Sequence, residues 1–259
     1  MAQLAINHVK KFFIERNGST HFVIGDLSFQ VEQGQFVSLL GPSGCGKTTL
    51  LTIMAGFQTC SEGSITLDGQ KIEGPGVERG YVFQNYALFP WMTVKDNILY
   101  SMKIAGASRK EKEERLAELL ELAHLKGHEN KFPIQLSGGM QQRVAVVRAL
   151  ASRPKVLLLD EPLGAIDFQM REIMQNELDL MVRQVATTVV MVTHDVSESV
   201  FLSDRVLVMG SNGCRLLADV TIDMPRPRDR TSEQFKTYES DLTDLLRKAF
   251  RESKLIESV

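Results

Sequence analysis

The chain has no apolar run near the ~20 residues that a membrane-spanning helix needs, and its first residues lack the basic-then-apolar order of a secretory signal. Neither charge sign dominates: 30 Lys and Arg face 32 Asp and Glu, a formal net charge of −2. That balance offers no global electrostatic case for nucleic acid. The one local basic cluster, Arg226-Pro-Arg228-Asp-Arg230, follows Pro225, contains Pro227 and Asp229, and reads as a solvated tail. Cysteine is scarce. Cys45, Cys60 and Cys214 have neither metal-ligand spacing nor the density of a disulfide framework. There is a single tryptophan, Trp91, and there are no repeats or low-complexity segments. These absences exclude a membrane-embedded chain, a disulfide-stapled secreted scaffold and a polyanion-binding basic domain. What remains is a chain of 259 residues, 43% hydrophobic and 24% charged, able to bury a large core.

The most specific positive signal is Gly41-Pro42-Ser43-Gly44-Cys45-Gly46-Lys47-Thr48, a complete G-x-x-x-x-G-K-[ST] phosphate loop. Average residue usage produces this pattern by chance in roughly one chain in a hundred of this length. The glycines allow a tight turn whose successive N–H groups form an anion nest. Lys47 adds positive charge at the β- and γ-phosphates, and the Thr48 hydroxyl suits Mg²⁺. Gln35–Leu40 reads as a short buried strand before the loop, and Thr49–Ala55 as a helix after it, with Gly56 past its end. That order sets the phosphates on a helix N-terminus.

The rest of the chain suggests α/β organisation. Segment 3–40 alternates in period two through Leu4, Ile6 and His8, then Phe22, Ile24, Leu27, Phe29 and Val31, and predicts antiparallel strands. From Thr93 to Arg148 the patterns are mostly helical. Ser108-Arg-Lys-Glu111 predicts a capped helix with Leu116, Leu119, Leu120 and Ala123 on one face and the charged run 109–115 on its wet face. After Pro154, strands at 156–160, 188–193 and 205–209 alternate with helices at 169–184 and near 195–202. The expected fold is a phosphate-loop (RecA-like) ATPase core with an N-terminal antiparallel β region, a largely parallel sheet and an inserted α-helical lobe. The whole chain, 1–259, is expected to be one ATPase domain. Its core lobe would span approximately 1–86 and 150–222, its helical lobe 87–149 and its C-terminal extension 223–259.

Further elements narrow the chemistry. Four apolar residues precede Asp160-Glu161, so the pair ends a buried strand; adjacent strand residues face opposite sides and can do different work. Asp160 suits Mg²⁺, and Glu161 suits the general base for an attacking water. Gln84 ends the strand 80–84 with a side chain able to touch both. Leu136-Ser137-Gly138-Gly139 opens a helix, with Ser137 as a natural N-cap and two glycines exposing N–H groups.

The phosphate loop, Gln84, Leu136-Ser-Gly-Gly139, Val156-Leu-Leu-Leu-Asp160-Glu161, Ala165-Ile-Asp167 and His194 occur in the order and spacing of ABC-transporter ATP-binding subunits, which the chain resembles over nearly its whole length. The resemblance implies ATP contacts at Gly41, Pro42, Ser43, Gly44, Cys45, Gly46, Lys47, Thr48 and Thr49. It implies Mg²⁺ at Thr48, Gln84 and Asp160, and catalytic roles for Glu161, Gln84 and His194, the last at the γ-phosphate. Adenine would stack on Phe13, with Phe12 the second choice. Ser137, Gly138 and Gly139 would serve the nucleotide of a partner chain, giving a head-to-tail homodimer or a heterodimer with a related ATPase subunit. The family's commonest residue after this signature is Gln, where this chain has Met140.

Finer features, Ile72–Gly80, Val82-Phe-Gln-Asn85, Leu88-Phe-Pro-Trp91, Val94-Lys-Asp-Asn97 and the Pro-Arg-Pro-Arg segment at 225–228, resemble importers of nitrate, sulfonates and taurine. Such a subunit would sit peripherally on the cytoplasmic side of the inner membrane. Its partners would be a membrane permease and, indirectly, a substrate-binding protein, with no nucleic acid. The apolar run through Tyr86, Leu88, Phe89 and Trp91 would meet the permease. The rival reading, a DNA-repair or regulatory ATPase of the same head type, calls for a coiled-coil insertion or a second cassette, and neither pattern is present.

Overall fold

Alternating apolar residues build the first sheet of the computed structural model, which describes residues 2–14, 18–164, 168–211 and 213–254. The chain divides into two units, one of residues 1–75 with 190–259 and one of 76–189.

In the first unit, β1 (Ala2–Ile14) pairs antiparallel with β2 (Thr20–Glu32) and with β4 (Glu62–Leu67), which also pairs with the short β5 (Gln70–Lys71). Leu4 faces Val31 and Leu67, and Ile6 faces Phe29 and Ile65, so the expected apolar positions meet in register. His8 breaks the predicted alternation. Its φ is 48°, the register slips between Ile6 and Val9, and Val9 takes the inward place while His8 turns out to Asp26. This is the signature of a β-bulge.

The antiparallel expectation stops short of residue 40. β3 (Phe36–Leu40) is buried at every position and pairs parallel with β9 (Arg205–Met209). Burial on both faces is what a parallel strand requires, and it explains the continuous apolar run. β10 (Leu216–Thr221) pairs antiparallel with β9, and β8 (Thr188–Thr193), within which the chain returns to the first unit, flanks β3 on the other side. The helices of this unit are α1 (Lys47–Met54), α6 (Val196–Leu202) and α7 (Glu233–Lys254).

The basic cluster at 226–230 is not a solvated tail. Arg228 is only 6% exposed and donates to the carbonyls of Val200, Phe201, Ser203 and Ile222. Arg226 donates to Phe201 and Leu202 and pairs with Asp204 at 2.8 Å, and the Arg230 guanidinium lies 3.6 Å from the centre of the Phe201 ring. A helix leaves its last carbonyls without intrahelical donors. Two of these guanidinium groups supply donors to the end of α6, which is why the cluster is drawn inward.

The second unit holds a parallel pair, β6 (Arg79–Val82) and β7 (Val156–Asp160), with Tyr81 opposite Leu158. Its helices are α2 (Val94–Ile104), α3 (Arg109–Leu122), α4 (Gly138–Leu150) and α5 (Phe168–Val185). The predicted capping box is present: the Glu111 N–H donates to Ser108 Oγ, and the Ser108 N–H donates to Glu111 Oε2. Leu116, Leu119, Leu120 and Ala123 are buried as expected. Arg115 departs from the wet face assigned to 109–115. It is buried, donates to the Leu150 carbonyl at 2.9 Å and pairs with Glu118.

Candidate functional site

In the first unit, the buried strand β3 delivers the chain into the loop 41–46, and α1 begins at Lys47. Gly46 is the N-cap at φ 106°, and a Cβ there would come within 2.6 Å of the Val23 carbonyl. Only glycine satisfies both the conformation and the approach. Gly44 also has positive φ, but a Cβ there would meet nothing, so this part of the loop faces open space. No side chain caps α1. Lys47 is 4% exposed, and its ammonium donates to the carbonyls of Gly41 at 2.8 Å and Pro42 at 2.6 Å. Ser43 and Thr48 are exposed, and Thr49 is half-buried. The Cys45 thiol is buried beside Cys214. The hydrogen bond from Cys214, and to a lesser degree the charge of Lys47, hold it below the usual thiol range.

The aromatic candidates lie on β1. Phe13 is half exposed, with Lys11 Nζ 5.0 Å from its ring centre, while Phe12 packs against Phe22 with centroids 5.4 Å apart. Phe22, Lys10, Gly25, Asp26, Gly213 and Arg215 line an open cavity of about 470 Å³, so a third aromatic, read in the sequence only as an alternating apolar position, adjoins this space. His194 is exposed just after β8. The turn that carries it is fixed on both sides: Thr193 Oγ1 accepts from the Asp195 N–H and donates to Glu198, while Asp195 caps α6 by accepting from the Glu198 N–H at 2.9 Å.

In the second unit, β7 ends on Asp160, which is 7% exposed. The Tyr81 hydroxyl donates to Asp160 Oδ2 at 3.2 Å. Burial, reinforced by the Asp160 charge, pushes the Tyr81 phenol far above its ordinary value, so it remains a donor. Glu161 follows at φ 44°, a conformation uncommon for a non-glycine residue and often stored at functional sites. Gln84 lies in the loop beyond β6, two residues past its end, and its Nε2 donates to Glu161 Oε2 at 3.1 Å. Two residues predicted to act on the same water are therefore in contact. Ala165-Ile-Asp167 lie outside the described residues.

Ser137 caps α4 as predicted, its Oγ accepting from the Met140 N–H at 3.3 Å. Gly138 faces open space. Gly139 has a different reason for lacking a side chain: a Cβ there would lie 2.9 Å from Met174 Sδ on α5. The segment after Gln84 is held by Asn97, the last residue of the importer-like run 94–97. Asn97, fully buried, accepts from the Phe89 N–H and donates to the carbonyls of Phe89, Met92 and Thr93. Trp91 is 70% exposed, so it is no core residue.

Likeness to known proteins establishes the family. The ABC transporter family matches residues 24–164, just over half of the chain. The nitrate import ATP-binding protein of Synechocystis is 40% identical over 253 residues, 94% of this chain and 95% of that protein. The chain belongs to the ABC transporter family. The aliphatic sulfonates import ATP-binding protein of Bacillus licheniformis is 44% identical over 215 residues, 83% of each. A solved ATP-binding cassette, a dimer in a post-hydrolysis state bound to ADP and phosphate, superimposes with a TM-score of 0.73 at 28% identity, covering 86% of this chain and all of that one. This ABC subunit is accordingly an ATPase with the phosphate-loop α/β fold. No helix among its described residues is long and apolar enough to cross a membrane.

Proposed function

We propose that this ATPase powers import of a small anion such as nitrate, a sulfonate or taurine through a separate membrane permease. It would work on the cytoplasmic face as one half of a head-to-tail dimer of identical or related ATP-binding chains. The importer names of its relatives and the dimeric state of its solved neighbour support this reading. In the proposed mechanism the N–H groups of loop 41–49 and the Lys47 ammonium hold the ATP phosphates, and Phe13 stacks on adenine. Ser137, Gly138 and Gly139 serve the partner's nucleotide. The lobe boundaries proposed from the sequence, with a helical lobe at about 87–149, suit this arrangement.

Mg²⁺ fits the donors available. Thr48, Asp160 and Gln84 offer hydroxyl, carboxylate and carboxamide oxygens, the hard ligands this ion takes together with substrate phosphates. Among the described residues no cluster of three His, Cys, Asp or Glu forms an all-protein metal cage, and phosphate-bridged Mg²⁺ needs none. When bound, the ion neutralises charge developing on the transferred phosphoryl group. Glu161 takes the proton of the attacking water, Gln84 orients that water and His194 contacts the γ-phosphate.

The observation that carries the catalytic assignment is the 3.1 Å contact between Gln84 and Glu161 beside the buried Asp160. Glu161→Gln should keep ATP binding and slow hydrolysis by ~10²–10⁴-fold, the usual worth of a general base. A long-lived ATP-dependent dimer should then appear by gel filtration. Unchanged turnover removes Glu161 from the role.

A further inference from the structure

Between Gln84 and α2 the backbone follows a path that needs outside support. Tyr86 and Ala87 have φ of 61° and 44°. Two consecutive left-handed non-glycine residues are unfavourable unless their surroundings over-determine them. The support comes from the last turn of α4. Arg148 Nη1 donates to the Ala87 carbonyl at 2.7 Å, Nη2 donates to the Tyr86 carbonyl at 2.8 Å, and the guanidinium lies 5.5 Å from the centre of the Phe89 ring. Phe89 in turn packs against Trp91 and Tyr100, with centroids 5.7 and 4.7 Å apart. One planar fork therefore grips both strained carbonyls and the first ring of an aromatic row ending at the exposed Trp91. Lysine, a point charge on a flexible stem, reproduces neither the double grip nor the stacking.

Arg148 also sits at a junction. The held segment starts at Gln84, in contact with Glu161, and the helix that supplies Arg148 starts at Ser137. Residues Val144 to Val147 of that helix are all buried, so its middle is tightly packed. We infer that Arg148 is a positioning residue that joins α4 to the segment 84–91, so that a shift at Gln84 or at the Ser137 end is delivered to Trp91. The inference rests on the proposed function, in which Gln84 orients the attacking water and Ser137 serves the partner's nucleotide, together with the expectation from the sequence that the run ending at Trp91 meets the permease.

Trp91 is the only tryptophan, so its emission reports on this segment alone. The test uses the full chain carrying Glu161→Gln, with Mg²⁺, ATP binding measured by calorimetry and acrylamide quenching of Trp91 measured with and without ATP. The expected result is an ATP-dependent change in quenching that is lost in Arg148→Met, although that variant still binds ATP. Arg148→Lys, which keeps the charge and covers the case in which the methionine variant fails to fold, should show a reduced change. Full response in either Arg148 variant overturns the inference, as does an absent response in the Arg148-intact chain with ATP bound. Failure of the Arg148-intact chain to bind ATP is a separate result; it defeats the nucleotide reading and this inference with it.

Discussion

Two helices of this chain start on glycine-containing turns proposed to meet phosphate, and they start differently. α1 begins after a left-handed Gly46 with no side-chain cap, and its first residue is a buried lysine. α4 begins after an extended Ser137 whose own hydroxyl accepts an N–H of the first turn. Every helix leaves its first N–H groups without intrahelical partners, and a capping oxygen competes with an anion for them. α1 leaves that role to a ligand and adds a cation beside it. In α4 the Ser137 hydroxyl takes one of those N–H groups, and Gly138 leaves an open approach to the turn. The first arrangement suits a nucleotide held by the monomer; the second suits a phosphate that arrives only when another chain does.

The sharpest way to break this comparison is Ser137→Arg. A long cation at the open end of α4 should abolish turnover by blocking dimer closure, while ATP binding by the monomer stays at the wild-type level. Mixing Ser137→Arg with Lys47→Ala chains should restore partial ATPase activity, because a mixed dimer keeps one intact site. No recovery in mixed dimers shown to form would count against two independently working sites.

Lys47→Ala addresses the other helix. Loss of a charge-assisted contact should weaken nucleotide binding by about 1.5–3 kcal/mol, roughly 10- to 150-fold. Titration with a fluorescent ATP analogue reads this directly. Equal affinity in the two proteins would mean that the buried ammonium serves the loop carbonyls of Gly41 and Pro42 rather than a ligand.

What was legible in the sequence was local. The order β3, loop, α1 follows from an apolar run, three glycines and a lysine, and the caps at Ser108 and Ser137 from neighbours three residues away. The misreadings all needed distant partners. β3 looked like one more antiparallel strand because its pairing with β9 lies across most of the chain. Arg226 and Arg228 looked solvated because most of the carbonyls they serve lie 24 to 28 residues earlier. Tyr81 was invisible for the same reason: only the parallel pairing of β6 with β7 brings its hydroxyl to Asp160. Arg148 and Asn97 bond to backbone carbonyls, an acceptor that every residue possesses, so Asn97 was legible only as the end of an importer-like run and Arg148 only as a helix residue.

The smallest expected effect concerns a side chain that only the first of the two turns carries. Cys45 lies in the phosphate loop beside Lys47, and its thiol is held below the usual range, first by the hydrogen bond from Cys214 and then by the Lys47 charge. The thiolate is the reactive form, and both causes favour it. Alkylation by iodoacetamide, in a Cys60→Ser background, should therefore rise with pH through a midpoint below the ordinary thiol value of about 8.5. Cys214→Ala removes the larger cause and should move the midpoint upward, leaving the smaller contribution of Lys47 to oppose the effect of burial. An unchanged midpoint would show that Cys214 does not stabilise the thiolate. ATP should slow the reaction in both proteins, since the loop that holds the thiol is the one proposed to close on phosphate. Equal rates with and without ATP would separate Cys45 from the nucleotide and weaken the contrast drawn between the two helix ends.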